Sequence, residues 1–257
     1  MTYGLWLSAG GLQVNQYRQE IVTNNLANVE TVGFKHDLAV IHERPMEAKD
    51  AANGPRYAHQ LLDRLSGGSW VRPTYTSFEQ GALVRTGSDL DAAIDGDGFF
   101  TVREGNEIRY TRDGRFTLNP AGELVMVANQ GRAKVLSEDG RPIVIDTKGG
   151  KVTIAQDGSI RQGKAKVLVA KLDVVAFENQ QALRKEGGNL FRSIGERPVA
   201  TQNTTVHGGF VERSTQNPMT GLVEMIEVTR AHELNARMIS LQDQTIGQAV
   251  NTVGRFR

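Results

Sequence analysis

The sequence predicts an α+β protein. A discontinuous helical domain pairs the N- and C-terminal helices in a coiled-coil-like manner, and a central antiparallel β-rich domain lies between them. Three observations predict it. Apolar residues recur at steps of three and four near both ends, five Asp-Gly pairs punctuate the middle, and alternating or β-branched segments flank those pairs.

Near the N-terminus the recurring positions are Leu5, Ala9, Leu12, Gln16, Gln19, Val22 and Leu26. This is the period of an amphipathic helix, interrupted by polar Gln16 and Gln19. Gly10-Gly11 weakens the first turns, so the continuous helix is expected from Leu12. Asn28 and Gly33 offer left-handed positions that would stop it.

The C-terminal helix has a clear opening. Asn217 can cap the free amides, and Pro218 fits the first helical position. Leu222, Met225, Ile226, Leu234, Met238 and Leu241 follow. Ile239, Ile246, Val250 and Val253 run in steps of seven, four and three, the spacing of a coiled-coil seam. Residues 218–253 would make a rod roughly 54 Å long at about 1.5 Å per residue, and a helix that long calls for a partner.

In the middle stand Asp95-Gly96, Asp97-Gly98, Asp113-Gly114, Asp139-Gly140 and Asp157-Gly158. Asp-Gly between apolar runs is a hairpin signal, because both residues tolerate positive φ. The flanking strands are expected at Phe99–Val102, Ile108–Thr111, Phe116–Leu118, Pro142–Ile145, Lys151–Ile154, Val167–Val169 and Leu172–Phe177, which makes residues 81–200 an antiparallel β region. The resulting organisation is 1–35 with 212–257 as a terminal helical assembly domain, 36–80 as a linker or extended arm, and 81–211 as the central β-rich domain.

Composition excludes several function classes. The 257 residues carry 30 Lys plus Arg against 29 Asp plus Glu, a net charge of +1 with no basic cluster, so nucleic acid is not an expected partner. Cysteine is absent, which removes disulfides and thiolate metal sites. No apolar run approaches the ~20 residues that span a bilayer, so membrane insertion is not expected. The start has no basic residue before its short apolar run and does not read as a cleaved secretory signal.

No constellation reads as an active site. Asp89, Asp91, Asp95 and Asp97 crowd together, but a calcium loop counted from Asp89 has Ala93 at its fifth position and Phe100 at its twelfth. Turn chemistry before the next strand is the expected role. His232-Glu233 opens like a zinc-protease motif, but position 236 is Ala236. His36, His42, His59 and His207 make no ligand spacing, and all five histidines are expected at the surface. No catalytic residue, cofactor site or metal site is assigned.

Three ordered segments carry a resemblance. Asn24-Asn25-Leu26-Ala27-Asn28-Val29-Glu30-Thr31-Val32-Gly33-Phe34-Lys35 resembles the N-terminal signature of the flagellar rod and hook family. The segment from Thr86 to Phe100, with Tyr110-Thr111-Arg112-Asp113-Gly114-Arg115-Phe116, resembles the entry to that family's β domain. Gly209-Phe210-Val211-Glu212 through Asn235 is similar to its closing helix.

The resemblance implies a structural subunit of the bacterial flagellar basal-body rod. Such proteins are exported unfolded through the flagellar type III apparatus and polymerise into a tube, with paired terminal helices inside and the β domain outside. It implies copies of itself and other rod or hook proteins as partners, and a place in the periplasm-spanning rod. Trp6, the Asn24–Lys35 segment and the tail favour the distal rod over the proximal rod.

The residues expected to carry subunit contacts are Leu12, Val22, Asn24, Asn25, Leu26, Asn28, Leu234, Met238, Ile239, Leu241, Ile246, Val250 and Val253. Buried amides among them, with Gln16 and Gln19, would specify register in a polymer. The competing readings are a hook-type axial protein, a wall hydrolase using carboxylates near Asp91–Asp97, and a monomeric β adhesin. Terminal helices that leave apolar surface uncovered would separate the axial readings from the last two.

Overall fold

The computed structural model describes residues 2–43, 68–201 and 204–253. They are α+β, with a helix at each end and antiparallel strands between. Two compact units emerge. The first holds the described parts of Met1–Ala27, Asp37–Tyr75 and Pro218–Arg257; the second holds those of Asn28–His36 and Thr76–Asn217.

In the first unit, helix α1 (Thr2–Ala27) packs against helix α2 (Pro218–Val253). The pairing is antiparallel, because low numbers meet high ones. Ser8 faces Gln242, Gly11 faces Asn235, and Thr23 lies 4.0 Å from the Met225 sulfur. The helix expected from Leu12 begins ten residues earlier, at Thr2. Packing explains the difference. A Cβ on Gly4 would stand 3.0 Å from the Gln242 amide, and one on Gly11 would stand 3.1 Å from that of Asn235. These glycines cost roughly 1 kcal/mol of helix propensity each, and in exchange α2 approaches closely.

The same unit contains part of the expected arm. Ile41–Glu43 pairs antiparallel with Ser69–Val71, placing Ile41 opposite Val71 and His42 opposite Trp70. Residues 44–67 of the arm lie outside the described residues.

The second unit is built on an antiparallel sheet. Its central strand, Phe99–Glu104, pairs with Glu107–Thr111 across a two-residue Gly105-Asn106 turn, and on its other side with Ala133–Val135. Phe99 and Phe100 point to opposite faces, as the period of two requires. Phe100 enters an aliphatic core with Val102, Leu124, Met126 and Ile160. Phe99 joins an aromatic cluster of Tyr110, Phe177 and Phe191, meeting Phe191 edge-on at 5.7 Å. A three-stranded sheet, Val152–Ile154, Ser159–Gln162 and Val167–Lys171, adds to the same unit.

The expected strand Pro142–Ile145 forms isolated bridges rather than a ladder. Pro142 has no N–H to give, and its neighbours divide their bonds: Ile143 N–H donates to Val135 and Ile145 N–H to Gly122. Its alternation still holds, with Ile143 and Ile145 buried and Val144 exposed.

Candidate functional site

Two features bear on function, one in each unit. The first is the paired helices. Along α2, Met225, Val228, His232, Asn235, Ile239, Gln242 and Ile246 are less exposed than their neighbours on the far side and recur in steps of three and four. This seam faces α1. The expected line of Ile239, Ile246, Val250 and Val253 is corrected at its far end: Val250 is exposed, and the seam continues through Ala249 instead. The step after Ile246 is three residues, not four. The side chain of Val253 lies outside the described residues.

The remaining expected contact residues divide. Val22 is buried, Leu12 and Leu26 are half-buried, and Asn24 is exposed. Asn25 is buried but serves its own chain: its amide donates to the Asp37 carbonyl at 2.7 Å and accepts the Asp37 N–H at 3.0 Å. Asn28 accepts from the Thr31 hydroxyl at 3.1 Å in the turn that follows α1. These two amides therefore shape the exit from the helix within one chain. Leu234, Met238 and Leu241 are exposed on α2 away from the seam, and so are Leu222, Val223 and Ile226. A helix apolar on more than one side needs more than one partner.

The second feature was missed in the sequence. In the second unit, Lys35 and Glu212 are 0% and 1% exposed and form an ion pair at 2.6 Å. The Lys35 ammonium also donates to the Glu79 carbonyl at 2.6 Å. Glu212 accepts the Gly81 N–H at 2.7 Å and the Arg112 guanidinium at 3.3 Å. Arg112 in turn donates to the Gly96 carbonyl at 2.8 Å and lies 5.2 Å from the centre of the Phe99 ring. Burial pushes the Lys35 ammonium below its ordinary range, partly offset by the Glu212 charge, and lowers Arg112 for the same reason.

The backbone around this cluster is equally constrained. Gly33 has φ of +68°, and a Cβ there would lie 2.5 Å from the Arg112 backbone. Its N–H donates to the Glu212 carbonyl at 2.8 Å. Lys35, Arg112 and Glu212 come one each from the three resembling segments, so segments distant in sequence close on one charged core. Each follows an aromatic or β-branched residue (Phe34, Thr111 and Val211), but sequence does not reveal which charges meet.

The crowded aspartates do not converge on a ligand. Asp91 accepts from the Thr86 hydroxyl at 2.6 Å, Asp89 pairs with Lys151 at 3.1 Å, and Asp95 accepts from Gln80 at 3.1 Å. Among the described residues no group of three acidic or histidine side chains could hold a metal ion. The surface reading of the histidines is corrected for three of them, His232 being half-buried on the α2 seam. His36 lies 2.8 Å from the Thr215 hydroxyl, and His207 lies 3.4 Å from Asp95, both half-buried. His59 lies outside the described residues. No described helix is long and apolar enough to cross a membrane.

Comparison with known proteins gives three consecutive matches. Residues 7–35 match the family described as flagella basal body rod protein. Residues 93–162 match the flagellar hook protein FlgE/F/G D1 domain, and residues 207–252 match the flagellar basal body rod FlgEFG protein C-terminal region. The flagellar basal-body rod protein FlgF of Caulobacter vibrioides is 36% identical over 241 residues, 92% of each chain. The flagellar basal-body rod protein FlgG of Buchnera aphidicola subsp. Acyrthosiphon pisum is 35% identical over 266 residues, 96% of this chain and 98% of the relative. FlgG of Bacillus subtilis is 29% identical over 98% of this chain.

Proposed function

Because the chain belongs to the flagellar basal-body rod protein family, whose members are structural proteins rather than enzymes, we propose that its paired terminal helices are the assembly domain of a rod subunit. The expected 1–35 with 212–257 narrows to Thr2–Ala27 and Pro218–Val253, because 28–36 and 212–217 pack in the β-rich unit. Polymerised through these helices, the subunits form the axial shaft that transmits torque from motor to hook. The observation that carries this reading is the apolar surface of α2 left over once α1 is paired with it. The partners are further copies and neighbouring axial proteins. The route to the rod is the flagellar type III apparatus, and a chain without cysteine cannot be held folded by disulfides on the way.

The finer reading is a place in the distal rod. It is supported by Trp6, the Asn24–Lys35 segment and the tail, and by relatives named FlgG at 35% identity. One relative named FlgF stands at 36%, so the position needs its own test. Basal bodies purified from a deletion strain should show short rods without hooks. Complete absence of rod would move the chain to the proximal part, and a full-length rod would sink the rod-subunit reading.

A further inference from the structure

The exposed apolar residues of α2 do not form one stripe. A step of seven returns to the same line along a helix that follows a heptad seam, so Val223, Arg230 and Arg237 stand on one line behind the seam. Leu222 and Ile226 lie to one side of that line, and Leu234, Met238 and Leu241 lie to the other. The two groups are roughly two fifths of a turn apart around the axis and about 20 Å apart along it. With the seam, α2 therefore has three contact directions. One straight helix can lie along only one of the two outer flanks.

The outer side of α1 offers surfaces of matching size and charge. Its exposed positions Trp6, Ala9, Gln13, Gln16, Glu20 and Thr23 also run in steps of three and four. Glu20 is the one charged side chain among the exposed described positions of α1, and it would meet the arginines on the back of α2. Two grooves open beside this stripe. One, of about 540 Å³, is lined by Trp6, Gly10, Gln13 and Trp70; the other, of about 550 Å³, is lined by Gln16, Glu20 and Thr23.

We infer that the back of α2 docks two different copies of this chain. The Leu222–Ile226 flank seats in the Gln16–Thr23 groove of one copy, and the Leu234–Leu241 flank seats in the Trp6–Gln13 groove of another. An antiparallel approach that places Glu20 against Arg230 brings Ile226 to the Thr23–Ala27 end of the one groove and Met238 close to Gln13 in the other, in nearly the register that α1 and α2 share within one chain. Ridge and groove lie on different faces of the unit, so each contact is heterologous and the assembly stays open-ended. This inference rests on the rod-subunit reading and names the partner surface for it.

The chain has no cysteine, so introduced thiols report cleanly. Two full-length variants, one per chain, are co-expressed and oxidised in purified basal bodies. Ile226→Cys should crosslink to Thr23→Cys, and Met238→Cys to Gln13→Cys. A chain carrying both Ile226→Cys and Met238→Cys, expressed with the two groove variants, should give a three-chain band. Equal crosslinking of the exchanged pairs, or no three-chain band, overturns the inference. Absence of the wild-type chain from basal bodies sinks the rod-subunit reading instead. A charge exchange reads the contact independently: Arg230→Glu should lower incorporation several-fold, and Glu20→Arg in the same chain should restore it. Failure of that rescue also overturns the pairing.

Discussion

Glu212 is the residue on which the second unit closes. It accepts from Lys35, Arg112 and the Gly81 backbone at once, and it is shielded from water. Two buried cations sharing one anion are tolerable only while the anion is present. Glu212→Gln keeps the shape and removes the charge, leaving Lys35 and Arg112 to repel each other in a dry site. The expected loss is about 3–5 kcal/mol, the usual penalty for breaking a buried ion pair from one side. Denaturant unfolding of the full chain measures it, and a loss below about 1 kcal/mol would mean that water reaches the cluster. The charges of this cluster were visible in the sequence but their meeting was not. Periodicity reports which face a residue occupies, whereas Lys35 and Glu212 are joined across 177 positions. The histidines failed for the same reason, since the partner of His36 is Thr215.

The elements were more legible than the residues. Helix α2 follows its capping signal and its period, from Pro218 to Val253. The β region was legible because β-branched residues act locally, but only Asp139-Gly140 and Asp157-Gly158 turn between paired segments, while Asp95-Gly96, Asp97-Gly98 and Asp113-Gly114 join strands that pair elsewhere. What local rules missed was decided by neighbours. Helix α1 absorbs Gly11 because α2 packs against it there, and Pro142–Ile145 splits its bonds between strand residue Val135 and turn residue Gly122. Gly105-Asn106, rather than an Asp-Gly pair, makes the tightest turn of the central hairpin. The close approach at Gly11 gives a prediction at this scale. Gly11→Ile should improve local backbone stiffness yet push α2 outward, because its side chain enters the space of Asn235. Amide exchange in α2 should speed up at least tenfold while the central sheet stays protected. Unchanged exchange in α2 would show that the glycine is not there for packing.

At the scale of the molecule, the two units have separate cores, and sequence order does not follow them. Asn28–His36 belongs with the β-rich unit, since Phe34 and Lys35 are buried in it and Asn189 donates to the Val32 carbonyl at 2.8 Å. Thr205–Gly208 also pairs there, opposite Ala92–Asp95. A single chain spanning 28–217 should therefore melt cooperatively. A fragment of 81–200, the region that local β signals mark out, lacks Lys35, Glu212 and the Thr205–Gly208 strand and should not. Calorimetry of both fragments decides it, and equal cooperative melts would show that the added segments are not part of that core.

If the paired terminal helices build the rod, a charge placed in their seam should stop its growth. Ile239 lies on the seam of α2, and Asp in its place would put an unpaired charge in that layer at a cost of several kcal/mol. The decisive measurement is electron microscopy of basal bodies from a deletion strain carrying Ile239→Asp, alongside the melt of the purified protein. The melt of the β-rich unit should be unchanged, the rods absent or truncated, and the cells unable to swim. Full-length rods and normal swimming would contradict this.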